Sequence, residues 1–285
     1  MQLTCRIVPY LLCLAGIGLA RADTPYFVTY SHHLEEPGSL EISYRNMIGS
    51  PTDGNPFLSS VMELEYGVNG WWTTELYLSG QATSHESTLW TGWRWENRFR
   101  PLVREHWINP VLYVEYEDIN GADKSLLAVV GHDGVSDQAT PNSEARIERK
   151  RELETKLILS SYAKGWNIAE NFIAEKNLNG GEWEFGYALA VSRALASKAS
   201  ATRCAFCREN FRAGVEMYGG LGTRHDFGLH NTSHYVAPIL GWRLPNGMTL
   251  GISPSFGLTD TSHQFLLRFN VGVEIPQFAR LFKKR

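Results

Sequence analysis

Beyond residue 22 the 285-residue sequence contains no stretch that is both long and apolar, so no helical membrane span is expected there. That absence says nothing against a membrane β-barrel, whose strands are apolar on one face only. Basic residues are in slight deficit, 27 Lys and Arg against 30 Asp and Glu, which gives no support to nucleic-acid binding. Cysteine is scarce too. Of the four, Cys5 and Cys13 precede residue 22, leaving only Cys204 and Cys207. No histidine follows Cys207 and no second pair exists, which argues against haem attachment and a complete zinc site. A local Cys204–Cys207 disulfide in an oxidising compartment is the favoured reading, and no cofactor or metal is expected.

What is present begins with a leader. Arg6 precedes an apolar run from Ile7 to Leu19 that ends in Ala20-Arg21-Ala22, the layout of a cleaved secretory signal peptide. The run is too short for a spanning helix, and Leu12 before Cys13 speaks against a lipid anchor. Cleavage would remove Arg6 and Arg21 and no acid, so 25 basic residues would face 30 acidic ones.

From residue 38 the dominant signal has period two. In Ser59 to Gly80, Met62, Leu64, Tyr66 and Val68 alternate with Val61, Glu63, Glu65 and Gly67. After Asn69-Gly70, Trp72, Thr74, Leu76 and Leu78 alternate with Thr73, Glu75, Tyr77 and Ser79, so the pair reads as a hairpin. The pattern recurs at roughly 38–48, 59–68, 72–81, 87–99, 107–117, 153–163, 166–176, 182–195, 211–220, 234–243, 248–257 and 264–275. Glu170 and Pro238 interrupt it, which predicts a bulge or an early strand end at each.

The connections alternate in length. Residues 69–71, 101–106, 164–165 and 244–247 are short, whereas 118–152 and 221–233 are long, as expected for periplasmic turns and extracellular loops. Trp71, Trp72, Trp107, Trp166 and Trp242 flank the short turns, where an amphipathic ring sits well at a membrane interface. The expected fold is all-β: a transmembrane antiparallel up-and-down barrel of about twelve strands. Its parts are a signal peptide (1–22), an N-terminal periplasmic or lumenal segment (23–37), the barrel (38–275) and a periplasmic tail (276–285). A soluble β-sandwich or soluble barrel is the rival architecture.

The leader, the segment Gly-Trp-Trp-Thr-Thr-Glu-Leu-Tyr-Leu at 70–78 and Glu-Asn-Arg-Phe-Arg at 96–100 resemble the bacterial outer-membrane transporter barrels of the phenol meta-pathway-like group. The resemblance implies an outer-membrane barrel more than it implies a substrate. Such barrels commonly end on an aromatic residue read by the barrel assembly machinery; here the last strand is followed by PQFARLFKKR, so Phe278 or the strand itself would carry that signal.

With the apolar faces toward lipid, alternation places Glu41, Glu63, Glu65, Glu75, Glu96, Glu115, Glu117, Glu154, Glu184, Glu216 and Glu274 in the lumen. Arg45, Arg94, Arg98, Lys156, Arg212 and Arg268 join them. Acids outnumber bases, which predicts passage of cations or a small neutral solute, unless the charges pair and plug the barrel as a scaffold. A lower-ranked alternative is an outer-leaflet lipid esterase with His85 as base and Ser87 as nucleophile, a pair that resembles the phospholipase A and lipid A deacylase families of the outer membrane; no third group orients the imidazole. His32, His33, Glu35 and Glu36 read as a solvated cluster. Arg146 to Arg151 read as a solvated loop that can touch lipopolysaccharide. Expected partners are the lipid bilayer, lipopolysaccharide and a small solute or ion.

Overall fold

The computed structural model describes residues 25–51, 54–132, 139–196, 200 and 204–282. The signal-peptide reading of 1–22 lies outside these residues. Twelve strands run in sequence: β1 (Leu40–Gly49), β2 (Phe57–Asn69), β3 (Trp72–Thr83), β4 (Thr88–Phe99), β5 (Asn109–Asn120) and β6 (Arg149–Ala163), then β7 (Trp166–Asn177), β8 (Trp183–Ala194), β9 (Phe211–Thr223), β10 (His234–Arg243), β11 (Met248–Gly257) and β12 (Phe265–Ile275). Each pairs antiparallel with its sequence neighbours, and β1 closes the barrel on β12. Closure leaves no sheet edge, which is what a strand protein needs in lipid.

Alternation then has a direct reading. Leu112, Val114, Leu157, Phe172, Leu189 and Val271 are exposed on the outside, while Glu75, Glu96, Glu115, Glu154 and Arg98 are buried inside. An apolar exterior around a charged interior is inverted for a water-soluble barrel and normal for one in a bilayer. Trp71, Trp107 and Trp166 lie exposed at the rim where β1 begins and β12 ends, and Trp90 near the opposite rim. The fold is thus that of an outer-membrane barrel, with the start of β1 and the end of β12 at one rim, the one that is periplasmic in such barrels.

Three local expectations change. Glu170 interrupts nothing: it stays in unbroken register between Leu159 and Leu189, exposed on the apolar face. Pro238 does not end β10, but the β10–β11 ladder lapses around it. Val236 pairs with Phe256 and Leu240 with Ile252, a register that sets Pro238 opposite Pro254, and neither has an N–H to give. Finally, Arg149 to Arg151, expected in a solvated loop, belong to β6. Arg149 donates to Asp118 at 2.5 and 2.7 Å, and Arg151 lies 3.8 Å from the same carboxylate.

The lumen holds two inserts. Residues 25–37 enter it from the periplasmic side, and part of the long β5–β6 connection folds back into it from the other. Tyr26, Phe27 and Val28 of the first and Val129 of the second are buried with Met47, Phe57, Tyr218 and Leu266 of the wall. Backbone crosses wall where a side chain is missing. A Cβ on Gly67 would stand 2.1 Å from the Glu36 carbonyl oxygen, and one on Gly186 would stand 2.3 Å from that of Val129. Glycine is therefore required at both crossings.

Candidate functional site

The strand register assembles a feature that alternation alone cannot reveal. Glu274 pairs with Glu41, Glu41 with Glu65, Glu65 with Glu75 and Glu75 with Glu96. The series continues through Glu115, Glu154, Glu175 and Glu184. Nine successive strands thus place a glutamate at the same level of the ladder. Barrel strands are staggered by their shear, so a row perpendicular to them climbs the wall as a spiral. This one starts beside Ile275, the periplasmic end of β12, and finishes beside Trp183, the outer end of β8. Adjacent strands are about 4.8 Å apart, which sets the spacing between successive steps.

Basic residues are interleaved with the row. Arg98 contacts Glu75, lies 2.8 Å from Glu65 and 2.9 Å from Glu96, and its guanidinium sits 5.2 Å from the Tyr30 ring centre. Lys156 reaches Glu154 at 2.8 Å and lies over the rings of Tyr30 and Tyr113. Arg45 pairs with Glu63 at 2.9 Å. Arg94 donates to Glu117 at 2.6 Å and to Asp123 at 3.1 Å, so it also ties the extracellular insert to the wall. Arg268 does the same through the Leu126 carbonyl at 2.8 Å, and it also contacts the Tyr218 hydroxyl.

The N-terminal segment is fastened like a plug. The Phe27, Val28 and Thr29 amides all donate to the Glu216 carboxylate at 2.7–3.2 Å. Asn171 accepts from the Tyr30 amide and returns a bond to its carbonyl, and Tyr26 donates to Asn167 at 2.8 Å. His32 shares a 2.5 Å hydrogen bond with Ser160, and the Glu35 amide donates to Thr73 at 3.1 Å. The plug meets the glutamate row at Tyr30, whose hydroxyl donates to Glu96 at 2.9 Å. His32 and Glu35 are buried, contrary to the solvated cluster expected. Beneath the plug a cavity of about 220 Å³ is lined by Glu41, Glu63, Glu65, Glu75, Arg45, Arg98, Arg212 and Trp242.

All seventeen lumenal residues singled out from sequence lie on inward-facing positions. Glu63, Glu75, Arg94, Glu96, Arg98, Glu115, Glu216 and Arg268 are buried; Glu184 and Arg212 are partly exposed. Alternation missed Glu175, whose neighbours Ala174 and Lys176 blur the pattern. His85 and Ser87 both stand exposed in the β3–β4 turn, where Ser87 Oγ accepts from Asn142 Nδ2 at 3.3 Å and His85 takes a φ of 61°. Cys204 and Cys207 are joined as a disulfide with Cα atoms 5.3 Å apart. The connection it tightens rests on Trp242, whose indole donates to the Ala205 carbonyl at 2.8 Å and lies against Phe206 and Phe211.

One titrating group caps the outer end. His263, in the connection 258–264, is buried beside Phe57, and burial together with the nearby Lys124 ammonium lowers its pKa from 6.5 to about 4. The folded state therefore binds fewer protons than the unfolded one between these values. The stability this group contributes is complete above about pH 6.5 and is lost as pH falls toward 4. Amide protection factors in 258–264 and 121–126, taken relative to the intrinsic exchange rate at each pH, are expected to fall on acidification from pH 7 to 4.5, and His263→Phe should flatten that dependence.

The fold and interior define an outer-membrane β-barrel. No protein-family model and no curated protein sequence matches the chain. Solved structures do. A crystal structure described as the COG4313 outer membrane channel from Pseudomonas putida F1 superposes with a TM-score of 0.51 at 10% identity, covering 90% of this chain and 100% of that one. A KdgM porin gives a TM-score of 0.48 at 10% identity, covering 82% and 97%. LpxR from Salmonella typhimurium gives 0.40 at 11% identity, covering 82% and 99%. At such identities the likeness is one of fold.

Proposed function

We propose that this protein is an outer-membrane channel for small cations, with the glutamate row as its path and residues 25–37 as the plug that holds it closed. The observation that supports this most is the row itself, an unbroken series of carboxylates from one rim to the other. Where carboxylates outnumber their counter-charges in a low-dielectric passage, cations are enriched and anions repelled. The periplasmic cavity would serve as the entrance. Export through a cleaved leader, contact of the outer loops with lipopolysaccharide and recognition of the last strand by the assembly machinery belong to the same proposal.

The test is planar-bilayer recording of refolded residues 23–285 across a salt gradient. A reversal potential of cationic sign is expected. Glu65→Lys, at the partly exposed periplasmic mouth, should lower the cation-to-anion permeability ratio roughly twofold or more. A second reading, a sealed scaffold, is favoured by the two inserts that meet inside the barrel. It predicts silence from folded protein even after the plug is removed.

A further inference from the structure

Part of the row holds more negative charge than its neighbours neutralise. Glu115 and Glu154 face each other across β5 and β6, and Glu117 projects from the next inward position of β5. The three side chains are buried, and each offers a carboxylate oxygen within 4.8 Å of the others. Lys156 takes one oxygen of Glu154, and Arg94 takes one of Glu117 while also serving Asp123. Glu115 Oε2 receives no hydrogen bond among the described residues, although its residue is only 3% exposed. A buried carboxylate oxygen without a donor is costly, and a cation is its natural complement.

We propose that Glu115, Glu117 and Glu154 form a binding site for one hard divalent cation of the calcium class, set in the row between the two inserts. The donor set consists of carboxylate oxygens only, with no imidazole or thiolate, which favours calcium over zinc or copper. Two paired strands hold the three groups on one face, so the site is formed by the wall itself. The inference rests on the same row as the conduction reading, yet it requires equilibrium binding alone.

The experiment uses folded residues 23–285 in detergent, with terbium(III) as the probe. Tyr113, two residues from Glu115 on the same face, is the sensitiser. Saturable luminescence at one ion per chain, displaced by calcium, is expected. Glu115→Gln should weaken binding about tenfold or more, and Glu144→Gln, in the outer connection, should leave it unchanged. Should Glu115→Gln fail to fold, Glu115→Asp keeps the charge, shortens the reach and should weaken binding in the same direction. Absence of saturable binding to folded wild type, as when a shared proton neutralises the cluster, overturns the site. So does equal binding by the folded Glu115 variant. Cation-selective conductance without terbium binding defeats this site alone, whereas terbium binding in a barrel that stays silent after plug removal defeats the conduction reading alone.

Discussion

Deleting residues 25–35 is expected to raise the single-channel conductance of the refolded barrel by about tenfold or more. A twelve-stranded barrel is wider than one filled by its own side chains, so the material that closes it here is largely inserted chain. The plug is held by discrete polar contacts: three amides on Glu216, the reciprocal pair with Asn171 and the Tyr26, His32 and Glu35 bonds. Water can replace each of these partners once the segment is gone. The deletion stops short of Pro37, which bridges Gly67 and leads into β1. Tyr30→Ala should give a smaller rise in the same direction, because that ring stands against Glu96, Tyr113 and the Arg98 guanidinium at the middle of the row. Bilayer recordings of wild type and both variants, each shown to be folded by heat-dependent gel migration, check the expectation. Equal conductance in all three would mean that the segment closes nothing.

The second large effect concerns stability. Arg98→Ala is expected to cost about 3–5 kcal/mol of unfolding free energy, the range for removing one partner of a buried ion pair. A single guanidinium, 6% exposed, faces Glu65, Glu75 and Glu96 together. Without it those carboxylates stand close to one another, and the Tyr77 hydroxyl, 2.5 Å from Glu75 and 2.6 Å from Glu96, has one proton to share between that pair. Reversible guanidinium unfolding in lipid or detergent measures the loss. Adding Glu75→Gln to Arg98→Ala should recover part of it, since one repelling charge is removed. If the double variant were no more stable than the single one, the penalty would come from lost packing on Tyr30 and not from uncompensated charge.

Much of the wall was legible because its signal is local. Glu63, Glu75, Arg94, Glu96 and Glu115 fall inside because each sits one residue from a lipid-facing apolar neighbour, and that alternation survives errors of several residues in where a strand begins. The row itself was not legible. It depends on Glu115 meeting Glu154 and not Lys156 across the seam, and register is a property of two strands together with the connection between them. Residues 23–37 were legible only as periplasmic or lumenal, and the contacts that hold them inside were hidden for a related reason. His32, His33, Glu35 and Glu36 are the polar residues of a solvated segment, and only Ser160 and Glu105 beside His32 and Thr73 beside Glu35, distant in sequence, make burial of His32 and Glu35 tolerable. The inward fold of the β5–β6 connection likewise depends on Arg94 and Arg268 finding Asp123 and Leu126.

The facing prolines of β10 and β11 carry a mechanical consequence. A closed wall shares lateral load among its seams, and a seam resists in proportion to the bonds that must break at once. Between Val236 and Leu240 this one offers none from Pro238 or Pro254, while the ladder between β5 and β6 runs without interruption for twelve residue pairs. The cylinder therefore has a built-in line of least resistance, and bilayer tension that strains it evenly would part it there before anywhere else.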